Sequence, residues 1–208
     1  MLKGRAYDPL KRALDIVASA AGLVLVAPIL GVTALLVKKN LGSPVLFRQK
    51  RPGRDGKVFT LLKFRSMKDV DPEAGLVEDA DRLTEFGTLL RSTSLDELPS
   101  LVNVLRGEMS IIGPRPLLVE YLDRYTPQQA RRHEVRPGVT GLAQVSGRNE
   151  VEWDRKFDLD VEYVDSRSLA LDISVLWRTV SSVLRRDGVS AEGHATVAPF
   201  AGAGGGAG

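Results

Sequence analysis

Residues 16–37 read IVASAAGLVLVAPILGVTALLV, about 22 positions without a charge. Such a run is long enough to cross a bilayer, so its reading decides what kind of fold this is. A spanning helix, a signal peptide, a buried core helix and a re-entrant hairpin all fit the length. A signal peptide is disfavoured, because Lys38-Lys39-Asn40 stands where a small-residue cleavage site belongs. Pro28 lies near the midpoint, where it removes a backbone hydrogen bond and kinks a helix. Both ends are basic: Lys3, Arg5, Lys11 and Arg12 precede the run, and Lys38, Lys39 and Arg48 follow it. Positive residues favour the cytoplasmic side, so a segment positive at both ends is best satisfied with both ends inside. Each arm about Pro28 is roughly 10–12 residues, or about 15–18 Å of helix, too short for a hydrocarbon core of ~30 Å. A helix kinked at Pro28 that dips into one leaflet and returns fits both facts, ahead of the spanning and buried alternatives.

The chain has 208 residues, which fits one domain with an appendage. We expect a membrane-associated segment over 1–40, a cytosolic catalytic domain over 41–187, and a disordered Gly/Ala-rich tail over 188–208. That tail has too few large apolar residues to order itself. A net charge of +3 fits anionic lipid, nucleotide or nucleic acid equally. The chain has no Cys, so disulfides and thiol nucleophiles are excluded. The two histidines are His133 and His194, the second in the expected tail. Carboxylates must therefore carry any acid, base or nucleophile role.

The chemistry concentrates in Arg91-Ser92-Thr93-Ser94-Leu95-Asp96-Glu97-Leu98-Pro99. Two adjacent carboxylates stand before a helix, with an arginine five residues upstream. Ser94 and Glu97 also fit a capping box, which is the plain structural reading. Pro99 opposes it by removing a donor the helix needs, so the turn should be irregular and both carboxylates available. Such a pair suits Mg²⁺ on a phosphate, since Mg²⁺ takes one or two carboxylates plus phosphate oxygens. In Gly113-Pro114-Arg115-Pro116 two prolines stiffen the loop around Arg115, a placement suited to phosphate, which the guanidinium fork matches.

Val45 to Phe64 alternates as a hairpin about the turn formers Arg51-Pro52-Gly53-Arg54-Asp55-Gly56. Lys63 and Arg65 share one side of its second strand, as phosphate ligands or as a solvated strand end. Helices are expected over Arg82 to Leu90 and over Leu117 to His133, the latter interrupted at Pro127. Arg136 to Arg148 is Gly-rich and carries Thr140, Gln144, Ser146 and Arg148. It reads either as a nucleotide-binding loop with backbone donors or as a connector. Asp158, Asp160 and Glu162 read as a solvated face. Asp172 to Arg186 is amphipathic, with Ile173, Leu176, Trp177, Val180 and Leu184 in one stripe. It reads as an interfacial helix or a packed one. The fold class is α+β, mostly helical: a kinked anchor, a small hairpin, and amphipathic interfacial helices around a compact cytosolic domain.

Five blocks in order carry a family resemblance: Lys11-Arg12 with Asp15, Lys63-Phe64-Arg65-Ser66-Met67, Asp96-Glu97, Gly113-Pro114-Arg115-Pro116, and Arg136-Pro137-Gly138-Val139-Thr140-Gly141-Leu142. Across roughly Lys11 to Arg186 the chain resembles the small bacterial sugar transferases, monotopic polyprenol-phosphate glycosyl-1-phosphate transferases. The resemblance implies the re-entrant helix, here turning at Ala27-Pro28. It implies an enzyme on the cytoplasmic face of the bacterial inner membrane. That enzyme moves a sugar-1-phosphate from a nucleotide diphosphate sugar, such as a UDP-sugar, to undecaprenyl phosphate and releases UMP. Exopolysaccharide or another glycan would begin there. The nucleophile falls on Asp96, which takes the phosphosugar covalently. Glu97 and Asp96 would hold Mg²⁺, and Lys63, Arg65, Arg91, Arg115 and Arg148 would bind phosphate or nucleotide. Expected partners are the two substrates and membrane lipids. Nucleic acid is not expected, and a homodimer is left open. A membrane-anchored nucleotide-sugar sensor or scaffold is the alternative. It would keep Arg115 and the anchor but would not need Asp96.

Overall fold

A computed structural model of the chain describes residues 3–147, 152–185, 200 and 202. It is mostly helical with two small sheets. α1 (Asp8–Leu41) is a 34-residue helix assigned without a break through Pro28, which at 1.5 Å per residue makes about 51 Å of path. β1 (Leu46–Pro52) and β2 (Val58–Phe64) form the expected antiparallel hairpin, with Arg51 opposite Phe59 and Phe47 opposite Lys63. α2 (Asp79–Arg82) and α3 (Glu85–Ser92) replace the single helix expected there. A 3-10 segment, Leu95–Ser100, leads into α4 (Leu101–Arg106), which stops at Gly107 in the left-handed region. Glycine reaches that conformation without Cβ strain.

β3 (Ser110–Ile112) pairs in parallel with β4 (Gly138–Thr140). Between them lie two 3-10 segments, Val119–Arg124 and Arg131–Glu134, and the four-residue α5 (Pro127–Ala130). The expected helix over Leu117 to His133 is not formed, and Pro127 starts a helix at its first turn, where proline's missing N–H costs nothing, instead of interrupting one. α6 (Leu142–Val145), α7 (Trp153–Ser166) and α8 (Leu169–Arg185) complete the order. The glycines around β3 and β4 mark a close backbone crossing. A Cβ on Gly138 would stand 2.2 Å from the Gly113 nitrogen, and one on Gly141 would stand 2.1 Å from the Gly113 oxygen. The Gly113 and Gly138 amides are spent on Thr140 and Pro114 carbonyls. This supports the connector reading of the loop over a cradle of free backbone donors.

One stripe of α1 faces the body of the protein. Asp15, Ser19, Thr33, Val37 and Leu41 are buried, while Val24, Leu25 and Leu35 are more than 70% exposed. Both ends are tied to the same body. Near the start, Lys11 pairs with Asp172 at 2.6 Å, Arg12 donates to the Val104 and Leu105 carbonyls, and Asp15 accepts from Ser110 Oγ and the Ile111 amide. Near the end, Val37 and Leu41 pack with Phe64 and Leu90.

Three expectations change. Asp160 is not on a solvated face: it is 3% exposed and paired with Arg132 at 2.7 Å. A buried arginine needs such a partner. α8 buries Asp172 and Val175, while Ile173, Leu176, Trp177 and Val180 stay on the surface. α8 is therefore packed through Leu171 and Val175, on a face other than the expected apolar stripe. Most of 188–208 lies outside the described residues, but the expected disorder does not extend to Phe200. That ring is 3% exposed among Tyr121, Tyr125, Trp153 and Phe157.

Candidate active site

The carboxylate pair sits in an irregular turn, as Pro99 required. Ser94 adopts the left-handed region at φ 56° and makes no side-chain cap. A non-glycine residue there carries strain of about 1–2 kcal/mol. The capping box is absent because Glu97 points elsewhere. Its Oε1 accepts from Lys63 Nζ at 2.6 Å and from Arg115 Nη2 at 3.1 Å. Lys63 comes from β2 and Arg115 from the proline-braced loop after β3, so three separate elements meet on one oxygen. Asn103 fastens the acid turn to the hairpin through the Leu62 amide and the Thr60 carbonyl. Glu108, to which the sequence assigned no role, holds Asn103 at 2.7 Å.

The two acids have opposite electrostatic environments. For Glu97, burial acts to raise the pKa, but Lys63 and Arg115 outweigh it and hold the carboxyl down at about 2. For Asp96, burial and then the charge of Glu97 push it up to about 6, against Lys63, Arg115 and Arg91. Asp96 is 8% exposed and accepts no hydrogen bond at its carboxylate among the described residues. One acid is thus fixed and neutralised while its neighbour is desolvated and uncommitted. Such a split assigns different roles to adjacent carboxylates.

A cleft beside Glu97 is lined by Arg51, Lys63, Ser100, Met109, Arg115 and Pro116 among others; Asp96, next in sequence to Glu97, is not one of its lining residues. Arg91, at the end of α3, donates from Nε to Ser66 Oγ at 3.1 Å and acts on Asp96 through its charge. Arg65 is not brought to the cleft. It is 7% exposed and turns to the Ser43 carbonyl and the Asp69 carboxylate. The alternation that pairs Arg65 with Lys63 applies within a strand, and β2 ends at Phe64. Arg148 lies outside the described residues.

Two residues escaped the sequence reading. Arg132 donates from Nη2 to the Arg115 carbonyl at 2.7 Å, so the Arg132–Asp160 pair braces the Arg115 loop from behind. Arg51 lines the cleft, where the sequence suggested only a turn. Strand alternation carries that signal, since Gln49, Arg51, Phe59, Leu61 and Lys63 fall on one hairpin face.

The geometry can bind anionic oxygens and offers one carboxylate, Asp96, without a partner among the described residues. Among the described residues no group of three or more His, Cys, Asp or Glu could enclose a metal. Mg²⁺ needs only one or two carboxylates when substrate phosphates supply the remainder, and Asp96 and Glu97 would be those carboxylates here.

The family model described as bacterial sugar transferase matches residues 6–186. An uncharacterized sugar transferase of Bacillus subtilis is 50% identical over 196 residues, covering 94% of this chain and 97% of that protein. A UDP-glucose:undecaprenyl-phosphate glucose-1-phosphate transferase of Caulobacter vibrioides is 42% identical, covering 88% of this chain and 72% of its own. An undecaprenyl-phosphate galactose phosphotransferase of Salmonella typhimurium is 41% identical over 90% of this chain, which spans 43% of that longer relative.

Proposed function

The chain belongs to the bacterial sugar transferase family, and we propose that it transfers a sugar-1-phosphate from a UDP-sugar to undecaprenyl phosphate, releasing UMP. The observation that carries this reading is the divided acid pair: Glu97 fixed between Lys63 and Arg115, with the Asp96 carboxylate beside it without a hydrogen bond or ion pair among the described residues. A binding-only scaffold would need the cations but not a desolvated, uncommitted carboxylate.

In the mechanism Asp96 attacks the phosphorus that bears the sugar. The anhydride bond to the nucleotide breaks, UMP leaves with that electron pair, and an acyl phosphate forms on Asp96. Carboxylates form such phosphoryl intermediates. The lipid phosphate then attacks the same phosphorus and the Asp96 carboxylate departs. That acceptor is already ionised and needs no base. Arg115, Lys63 and Arg91 hold the non-bridging oxygens and neutralise charge as it develops. Mg²⁺, held by Glu97 with Asp96 nearby, would neutralise the donor diphosphate when bound.

The fold supports the membrane reading. Both ends of α1 dock on one body, and its middle presents Val24 and Leu25 outward. A helix that spanned the bilayer would carry its two ends to opposite sides. This favours a re-entrant α1 turning at Pro28, with the body on the cytoplasmic face of the inner membrane. The exposed Ile173, Leu176, Trp177 and Val180 give α8 an apolar face to lay in the headgroup region, where tryptophan is favoured. A reporter fused to residue 1 should be found in the cytoplasm, and a periplasmic signal would sink this topology.

The test of function is transfer itself. Purified protein in lipid, given radiolabelled UDP-glucose or UDP-galactose with undecaprenyl phosphate, should place label in the lipid fraction. Retention of all label in the aqueous phase across a panel of nucleotide sugars would reject the reading.

A further inference from the structure

Arg51 occupies an unusual position for an arginine on a short hairpin. Its neighbours on the same face, Phe59 and Leu61, are buried against Val104 and Met109, so that face cannot turn to solvent. Arg51 therefore shares the cleft with Lys63, Glu97 and Arg115. Its two hydrogen-bond partners among the described residues are neutral oxygens: Gln49 Oε1 at 2.5 Å and the Pro116 carbonyl at 3.3 Å. Its Nε is buried with no partner among the described residues. Burial, and then the like charge of Arg115, lower its pKa to about 10.

A half-buried guanidinium without a carboxylate, set beside another cation, is an unfavourable arrangement unless an anion completes it. Among the residues lining the cleft, Arg51, Lys63 and Arg115 face one acid, Glu97. Lys63 and Arg115 are already engaged by Glu97. Among the described residues Arg51 is the cleft cation that no carboxylate engages. The Pro116 contact also joins it to the loop that presents Arg115.

The covalent route of the preceding subsection gives this ligand a chemical class. In an in-line displacement at phosphorus the entering and leaving oxygens lie on opposite sides. Asp96 enters in one step and leaves in the other. The group opposite Asp96 is UMP in the first step and the lipid phosphate in the second. Both are phosphate monoesters, and both must occupy the same place in turn.

We propose that Arg51 forms a phosphate-monoester subsite, shared in succession by the departing nucleotide phosphate and the arriving lipid phosphate. The proposal rests on the two-step reading, but its first test needs no turnover. Binding of UMP to the purified protein, read by calorimetry, should weaken at least tenfold in Arg51→Gln and less in Arg51→Lys, with unfolding temperatures no lower than that of the wild type. Unchanged UMP affinity in Arg51→Gln would overturn the subsite whether or not transfer is observed. The second test uses steady-state kinetics. KM for undecaprenyl phosphate and the inhibition constant of UMP should rise by similar factors in Arg51→Gln. A rise in the UMP constant with the acceptor KM at the wild-type value would make Arg51 a nucleotide contact only. A rise in the acceptor KM alone would make it a lipid contact only. Either outcome overturns a shared subsite.

Discussion

Lys63 Nζ lies 2.6 Å from Glu97 Oε1, on the oxygen that Arg115 also reaches. That contact separates two neighbouring carboxylates into a fixed, ionised one and a desolvated, unpaired one. It also places Lys63 in competition with any metal that uses Glu97. Replacing Lys63 by Gln removes that competing cation. We expect Lys63→Gln to lower turnover while reducing the Mg²⁺ concentration needed for half-maximal rate. A Mg²⁺ titration of both proteins checks this, and a higher Mg²⁺ requirement in the variant would contradict it.

The pH profile follows from Asp96. Its pKa of about 6 means that the nucleophilic carboxylate is lost as pH falls through that value. The rate should be level above about pH 7 and drop about tenfold per unit below 6. Glu97, held at about 2, stays ionised across this range. Single-turnover rates between pH 5 and 8 test it, and a rate that held level down to pH 5 would remove Asp96 ionisation as the controlling step.

The same shift predicts a trade of stability for function. The folded pKa of Asp96 is raised from 3.8 to about 6, so the folded state binds more protons than the unfolded state between those values. Its contribution to stability therefore falls as pH rises through that window, and the full penalty is present above about 6. Asp96→Asn removes the charge and the penalty, worth up to about 3 kcal/mol at 1.36 kcal/mol per unit. Thermal unfolding should show the inactive variant more stable than wild type at pH 8, by several degrees. The gain should vanish near pH 4. An unchanged or lower Tm at pH 8 would contradict the environment described for Asp96.

Geometry at the arginines should matter beyond their charge. Lysine keeps the positive charge and loses the planar fork. Arg91→Lys and Arg115→Lys should each lower kcat/KM at least tenfold, about 1.4 kcal/mol of transition-state stabilisation. Wild-type kinetics in both would leave these arginines as structural residues.

How far the sequence could be read depended on the range of each interaction. The hairpin was legible because alternation and turn formers are local signals, and the irregular acid turn was legible from Pro99. Arg65 misled because its partners, Ser43 and Asp69, lie beyond the end of the strand that defined its face. Asp160 looked solvated until Arg132, distant in sequence, came to meet it. Phe200 sits in a segment too poor in apolar residues to order itself, yet Tyr121 and Arg124 bind its backbone amide and carbonyl. That cage is assembled by folding and leaves no periodic trace. Arg51 was recoverable in principle, since register alone puts it on the face of Lys63.

The central claim is that Asp96 carries the phosphosugar, and acceptor-free exchange tests it most directly. Purified protein is incubated with UDP-sugar and labelled UMP, without undecaprenyl phosphate. A covalent route returns label to UDP-sugar, because the acyl phosphate on Asp96 is formed and reversed before any lipid arrives. We predict exchange in the wild type, none in Asp96→Asn, and a phosphosugar adduct on the peptide containing Asp96. Absence of both exchange and adduct in a protein that still transfers sugar to lipid would contradict the account and leave direct attack by the lipid phosphate in its place.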